Sequence, residues 1–227
     1  MKKVLVTLDI NYPKEITDLT FPYMDQYAKN IGAEFVILKE RKYPNLPITQ
    51  EKFQLYDIDA DYIIFLDADT LINPNSFDLT TAVSDDIVIV SEYLNPHNQF
   101  WPNNILGKYT LDTHFNAYCL VFSKKCKNCV EPWQSPLDFE KYIKIQESHR
   151  IYELINSKAI KKAWFLDEFF ISLNIIKYGL STVSLKQDFM YNNIVAHTTG
   201  TIDKKVKMLK ENIEILKNMS NLNGVYG

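Results

Sequence analysis

The chain has 227 residues, a formal net charge of −3, and a composition that is 46% hydrophobic and 23% charged. A chain of this length can form one large α/β domain that buries roughly 70% of its unfolded surface, and we expect a single domain over residues 1–227. The slightly acidic balance argues against a nucleic-acid-binding role, because such domains normally carry a basic surface. No hydrophobic segment is long enough for a membrane span or a signal peptide, so we expect a cytoplasmic protein.

Apolar residues along the chain alternate between strand-like runs and helix-like spacing, in the order typical of an α/β protein. The first unit is a strand at residues 4–8, a helix at 16–31 that Gly32 ends, and a strand at 34–38. The elements predicted after it are loops at 43–49 and 95–108, helices at 51–58, 137–162, 166–178 and 204–219, and strands at 62–66, 86–91, 115–122 and 182–185. This order predicts an α/β fold with a mostly parallel central sheet flanked by helices.

The strand predicted at residues 62–66 ends abruptly in two carboxylates, Asp67 and Asp69. Its five consecutive apolar residues are typical of a strand buried on both faces, and ligands of open α/β sheets bind beyond the carboxyl ends of such strands. If the extended geometry continues, the two side chains point to the same side and converge. Because like charges repel in a partly buried site, a hard divalent cation such as Mg²⁺ or Mn²⁺ is the simplest partner for them.

The segment Leu66-Asp67-Ala68-Asp69-Thr70-Leu71 resembles the D-x-D motif of GT-A fold glycosyltransferases, most closely the glycogenin and bacterial galactosyltransferase type. Other segments resemble the same family, in the family's order. They are Val6-Thr7-Leu8-Asp9 with Tyr12, Lys52-Phe53, Phe115-Asn116-Ala117, Leu166-Asp167-Glu168, and His197-Thr198-Thr199-Gly200 with Lys204 and Lys205. Two positions depart from the family pattern: Tyr118 replaces a glycine and Glu168 replaces a glutamine.

The resemblance implies a GT-A fold, which is Rossmann-like. It also implies the metal-dependent transfer of a sugar from a nucleotide-diphosphate sugar, above all a UDP-sugar, to a hydroxyl acceptor such as a glycan. It implies that Mn²⁺ or Mg²⁺ binds to Asp67, Asp69 and His197. It assigns donor binding to Thr7, Leu8, Asp9, Tyr12, Lys52, Asp67, Ala68, Asn116, Ala117, Gly200, Lys204 and Lys205. Asp167 and Glu168 would be the catalytic pair, in contact with the transferred sugar or with the acceptor proton.

Purely structural interpretations of the same residues stay open at this stage. Asp167 and Glu168 open a predicted helix, where acids are favoured by the helix dipole without any catalytic role. His197 can equally be interpreted as a histidine of a surface loop that binds no ligand. The stereochemistry is open as well: an inverting enzyme needs a base, which Glu168 would provide, whereas a retaining enzyme does not require one.

Three other functions compete with glycosyl transfer. Phosphatases with a D-x-D-x-T motif carry threonine four residues after the first aspartate, where this chain has Leu71. Nucleotidyltransferases share the carboxylates and the metal, but they usually begin with a glycine-rich basic loop, and residues 8–12 contain no glycine. A nucleotide-sugar-binding module without turnover is the third possibility, and the departures at Tyr118 and Glu168 keep it open.

Overall fold

The structure is a computed structural model that describes residues 1–44, 46, 48–94, 114–132, 166–185 and 195–223. Its strands are β1 (Lys3–Leu8), β2 (Glu34–Leu38), β3 (Tyr62–Leu66), β4 (Thr70–Ile72), β5 (Ile87–Leu94), β6 (His114–Ser123), β7 (Ser181–Ser184) and β8 (Val195–His197). Its helices are α1 (Lys14–Ile31), α2 (Leu166–Lys177) and α3 (Ile202–Asn223), with 3-10 segments at Ile48–Asp57, Leu79–Ala82 and Lys124–Val130.

The described strands form a six-stranded sheet in the order β2-β1-β3-β6-β5-β7, and β4 pairs with β8 in a separate small sheet. Strand β1 pairs in parallel with β2 and β3, and β5 pairs in parallel with β7. Only β6 runs the other way, antiparallel to both β3 and β5. The predicted mostly parallel α/β sheet is therefore confirmed, and the carboxyl ends of β1 and β3 meet at one edge.

Strand β3 is buried on both faces, as its uninterrupted apolar run predicts. Ile63 and Phe65 belong to the core cluster that also contains Phe170 of α2, while Ile64 and Leu66 belong to the cluster on the other face. All four β3 side chains are at most 2% exposed. Burial of each such side chain contributes about 1.5–3 kcal/mol, so the strand that carries the two carboxylates is firmly fixed.

A third cluster anchors the last helix beside the edge of the sheet. Leu209 and Ile213 of α3 pack with Ile16 of α1 and Leu71 of β4. Strand β4 follows β3 closely in the chain, and β8, which pairs with β4, ends a few residues before α3 begins. The start of α3 therefore lies close to the end of β3.

Several predicted boundaries differ from the structure. The helix expected at 51–58 is the 3-10 segment Ile48–Asp57, which begins inside the loop expected at 43–49. The buried carboxylate of Glu51 accepts the backbone N–H groups of Lys42 and Tyr43 and thereby fastens the preceding turn to this segment. Strands β4 and β8 were not predicted, because three residues are too few for a periodic pattern.

The remaining predicted elements within the described residues agree with the structure to within four residues at each end. Helix α1 begins at Lys14 and ends at Ile31, where Gly32 takes the left-handed conformation with φ 69°. The loop predicted at 95–108 and the helix predicted at 137–162 lie outside the described residues. Among the described helices, none combines the length and the apolar character that crossing a bilayer requires.

Candidate functional site

Asp67 and Asp69 are brought together by a tight turn. The N–H of Asp67 still donates to the carbonyl of Tyr118 at 2.9 Å, but the N–H of Thr70 donates back to the carbonyl of Asp67 at 2.9 Å. The extended geometry, which was the condition for the predicted convergence, does not continue to Asp69, since the chain folds back at once to start β4. The carboxylates nevertheless converge, and their oxygens lie with a ring nitrogen of His197 in a group whose atoms are all within 4.8 Å of one another.

His197 reaches this group through the small β4–β8 sheet, in which it lies opposite Thr70. Thr198 secures the arrangement, because its N–H and its hydroxyl both donate to the carbonyl of Asp69, at 3.4 and 3.1 Å. The Nε2 atom of His197 lies 3.4 Å from Oδ1 of Asp69. Two segments separated by more than 120 residues are thus joined at the site.

Lys205, in the first turn of α3, contacts the other oxygen of Asp69. Its ammonium group donates to Oδ2 of Asp69 and, at 3.2 Å, to the hydroxyl of Tyr12. Burial by itself would raise the pKa of Asp69, but the hydrogen bond from His197 and the charge of Lys205 hold this pKa below its ordinary value. The pKa of Tyr12 is raised by burial and by the Asp69 carboxylate, so its phenol stays protonated.

Lys52 occupies the centre of the buried acids. Its Nζ atom lies 2.7 Å from Oδ2 of Asp167 and 3.2 Å from Oδ1 of Asp67, and it donates to the carbonyl of Ala117 at 3.0 Å. Burial opposes the positive charge, but Asp167 and Asp67 outweigh this effect and raise the pKa of Lys52. The pKa of Asp67 is raised by burial, and Lys52 offsets part of that shift.

Asp167 and Glu168 open α2 and are both buried, at 1% and 8% exposure. Glu168 Oε1 accepts the N–H of Ala117 at 3.2 Å. Burial and the neighbouring Asp167 raise the pKa of Glu168 well above its ordinary value. Oδ1 of Asp167 is buried and has no hydrogen-bond partner within the described part of the chain.

The charges and the donor atoms of this group suit a divalent cation. Three carboxylates contact two ammonium groups here, so acidic groups outnumber basic ones. The acids are Asp67, Asp69 and Asp167, and the lysines are Lys52 and Lys205. Carboxylate oxygens with one imidazole nitrogen form a ligand set that Mn²⁺ accepts readily. Asp67, Asp69 and His197 therefore fit the metal that the sequence predicted.

Three other residues predicted to bind the donor belong to the end of β1 and the residue after it. Thr7 is buried near the end of β1, and Asp9, which follows the strand, donates its N–H to the carbonyl of Leu38 at 2.8 Å. Leu8, the last residue of β1, is partly buried. Asp9 and Tyr12 line an open groove of about 690 Å³ between α1 and β2, a volume in the range of small-molecule sites.

Four further residues predicted to bind the donor have no described contact with the ligand atoms of Asp67, Asp69 and His197. Ala68 is buried, and its carbonyl accepts the Thr20 hydroxyl at 2.6 Å. The side-chain amide of Asn116 donates to Oε1 of Glu92, a residue of β5, at 2.8 Å. Lys204 is exposed beside Gly200. No described contact joins Asn116 or Lys204 to the carboxylates of the candidate site.

Tyr118 and Thr198 are site residues whose contacts the sequence did not predict. The ring of Tyr118 lies flat on the imidazole of His197, with a centroid distance of 4.1 Å and an interplanar angle of 6°. The only sequence signal for it was the departure from the family's glycine. Thr198, which fastens the carbonyl of Asp69, was visible only as the residue after His197.

A scan for protein families finds no match to this sequence, and a search among curated proteins also finds none. Solved structures do match. One is a glycosyltransferase involved in the glycosylation of the major capsid of PBCV-1, with 11% identity over 93% of this chain and 100% of the other, and a TM-score of 0.48. A second is the galactosyltransferase LgtC in complex with donor and acceptor sugar analogs, with 13% identity over 96% of each chain and a TM-score of 0.49.

A third match is a mutant of Drosophila β-1,4-galactosyltransferase 7 in complex with manganese, UDP-Gal and xylobiose. Its identity is 14%, over 88% of this chain and 72% of the other, with a TM-score of 0.45. All three are glycosyltransferases, the class that the sequence resembles. At these identities and TM-scores the likeness concerns only the path of the chain, and any assignment of chemistry rests on the residues of the site.

Proposed function

We propose that this chain is a metal-dependent glycosyltransferase that transfers a sugar from a nucleotide-diphosphate sugar, above all a UDP-sugar, to a hydroxyl group of a glycan acceptor. One observation carries the proposal. Ligand atoms of Asp67, Asp69 and His197 lie within 4.8 Å of one another at the carboxyl edge of a parallel sheet, where α/β proteins bind their ligands.

The reaction requires stabilisation of a leaving diphosphate. The bond between the anomeric carbon and the phosphate oxygen breaks, a bond from that carbon to the acceptor oxygen forms, and the acceptor loses its proton. Mn²⁺ or Mg²⁺ held by Asp67, Asp69 and His197 would supply Lewis-acid stabilisation of the negative charge on the leaving group. Lys205 and Lys204 add positive charge at the same edge of the sheet.

The two buried acids have different surroundings, and we assign them different roles. Asp167 is held by Lys52 at 2.7 Å, and its Oδ1 has no hydrogen-bond partner among the described residues, so it is suited to accept a hydroxyl of the transferred sugar. Glu168 has a pKa raised by burial and by Asp167. A carboxyl group with a raised pKa is suited to exchange a proton with the acceptor hydroxyl.

We assign the nucleoside of the donor to the groove that begins at the end of β1. Asp9 offers a carboxylate to ribose or base hydrogen-bond donors, and Tyr12 offers a ring face. Tyr12 also contacts Lys205, which in turn contacts Asp69. The groove and the carboxylates are therefore connected through two side chains, as a ligand with a nucleoside at one end and a diphosphate at the other requires.

The test is an assay of the full chain with a panel of nucleotide sugars and a glycan acceptor, with Mn²⁺ or with a chelator. We expect metal-dependent release of a nucleoside diphosphate, and stabilisation of the protein against heat by the correct donor. Asp69→Asn should lose the release, whereas the matched control Asp85→Asn, at an exposed carboxylate, should keep it.

Other products would identify the competing functions. Binding of the donor without release of nucleotide would identify a binding module. Release of pyrophosphate from a nucleoside triphosphate would identify a nucleotidyltransferase, and release of inorganic phosphate from a phosphorylated substrate would identify a phosphatase. Each of these results, obtained without glycosyl transfer, would reject the proposal.

A further inference from the structure

The geometry points to Tyr118 as a positioning residue that holds the imidazole of His197 beside Asp69, ready to bind a divalent ion. The inference rests on the proposed function, because His197 is assigned there as a metal ligand. It also gives a physical role to the position at which the sequence departs from the family that it resembles.

An irregularity in β6 directs the Tyr118 side chain towards the site. Residues 117–119 of β6 lie opposite the single residue Ser91 of β5, between the pairs Val90 with Leu120 and Glu92 with Asn116. Ser91 Oγ accepts the N–H of Cys119 at 2.6 Å and donates to its carbonyl at 3.0 Å. Bulges of this kind redirect a side chain and occur often next to active sites.

The consequence of the bulge is visible in the packing. Ala117 belongs to the core cluster on one face of the sheet, whereas the adjacent Tyr118 and Cys119 both belong to the cluster on the other face. The carbonyl of Tyr118 accepts the N–H of Asp67 at 2.9 Å. The same residue thus holds the backbone of one proposed ligand and, through its ring, the side chain of another.

The contact between the rings is a close parallel stack, with 4.1 Å between centroids and 6° between planes. Parallel stacking at this centroid distance is favourable for aromatic rings. A ring that carries positive charge is attracted in addition to the negative face of a phenol. An imidazole that coordinates a cation gains such positive character, so this stack favours the metal-bound state of His197.

The stack also restricts His197 before any ligand binds. Tyr118 is only 5% exposed, so its own ring is fixed by the core. An imidazole packed flat against a fixed ring loses its alternative rotamers during folding rather than during metal binding, and such preorganisation strengthens binding. A glycine at position 118 would leave that face of His197 without a ring.

The experiment compares Mn²⁺ affinity by titration calorimetry in the full chain and its variants. Tyr118→Phe keeps the ring and should bind Mn²⁺ as the unaltered protein does. Tyr118→Leu keeps the bulk but not the ring, and we expect about tenfold weaker binding, the scale at which groups that support a metal ligand act. In a His197→Ala background, Tyr118→Leu should have no further effect on the affinity, because the two residues act through one contact.

A second readout follows His197 directly, without metal. The ring protons of His197 should be shifted upfield by the Tyr118 ring in NMR spectra of the unaltered protein and of Tyr118→Phe, and this shift should vanish in Tyr118→Leu. Melting temperatures of the metal-free variants check folding, and Tyr118→Met provides a second ringless variant if Tyr118→Leu unfolds.

Two results would overturn the role of Tyr118 alone: unchanged Mn²⁺ affinity in Tyr118→Leu, or a loss of affinity that persists in the His197→Ala background. Absence of Mn²⁺ binding by the unaltered protein would overturn both this inference and the proposed metal site. Mn²⁺ binding that depends on Tyr118, without turnover of any nucleotide sugar, would support the inference and reject the proposed function.

Discussion

Lys52 and Asp167 form a buried ion pair, with 2.7 Å between Nζ and Oδ2 and side chains that are 7% and 2% exposed. The pair joins the 3-10 segment before β3 to the first turn of α2. Lys52 also contacts Asp67, so Asp167, assigned to catalysis, and Asp67, a proposed metal ligand, share a single counterion. The site is therefore an electrostatic unit rather than a set of independent groups.

Replacement of Lys52 should destabilise the fold strongly. Lys52→Met leaves buried carboxylates without their counterion, and removal of one partner from a buried pair typically costs about 3–5 kcal/mol. Urea unfolding measures this free energy. Lys14→Met, which removes an ammonium from a pair with Asp18 that is largely exposed, is the matched control and should change stability little. Equal stability of the two variants would show that Lys52 does not neutralise the acids.

Replacement of Asp69 should abolish function with a smaller effect on the fold. Asp69→Asn removes the charge that faces both His197 and Lys205 but keeps the size of the side chain. We expect at least a hundredfold loss of sugar transfer, the scale of removing one electrostatic stabiliser of a transition state, together with weaker Mn²⁺ binding in calorimetry. Full activity of a folded Asp69→Asn variant would reject the site.

Glu168→Gln should stabilise the protein in a pH-dependent way. Burial and Asp167 raise the pKa of Glu168 well above its ordinary value of 4.5, so between pH 4.5 and the raised pKa the folded state keeps a proton that the unfolded state releases. Folding stability therefore falls as the pH rises through this window, and it is not affected below it. Glutamine has no such proton, and the stability difference between the variant and the unaltered protein isolates this effect.

We expect Glu168→Gln to raise the melting temperature at pH 7.5, by about 2–4 °C for each 1 kcal/mol gained, and to leave it unchanged near pH 4. The same variant tests the proposed proton exchange, because an amide does not titrate. Turnover should fall while the affinity for the donor is kept. A melting-temperature difference that is the same at both pH values would contradict the raised pKa.

Gly200→Ala should cost more than Gly179→Ala. Gly200 has φ +109°, and a Cβ there would lie 2.9 Å from Cδ of Lys204, whereas Gly179 has φ +63° and open space around the position of a Cβ. An alanine tolerates the left-handed region at a cost of about 1 kcal/mol, but a φ near +109° is reserved for glycine at a cost of about 1–3 kcal/mol. Thermal unfolding of the two variants compares these costs directly, and equal melting temperatures would show that the Gly200 backbone relaxes.

The sequence was informative wherever the structure depends on residues that are close together in the chain. Strand β3 could be recognised because burial on both faces requires an apolar side chain at every position, and its end could be recognised because Asp67 breaks that requirement. The end of α1 could be recognised in the same way, because it depends on the left-handed conformation of one residue, Gly32. By contrast, the 3-10 geometry of Ile48–Asp57 depends on the buried Glu51 and its partners in the preceding turn, and no periodic pattern records it.

The sequence by itself determined which chemical groups the protein carries and which buried strand delivers two of them to a ligand-binding edge. Only the tertiary structure decided which groups meet. His197 reaches Asp69 because β8 pairs with β4, and Lys205 reaches it because α3 packs on α1. The stack of Tyr118 on His197 depends on a bulge opposite Ser91. These contacts join segments far apart in the chain, and the free energy that selects them comes from packing and pairing between elements, which no local pattern of residues encodes.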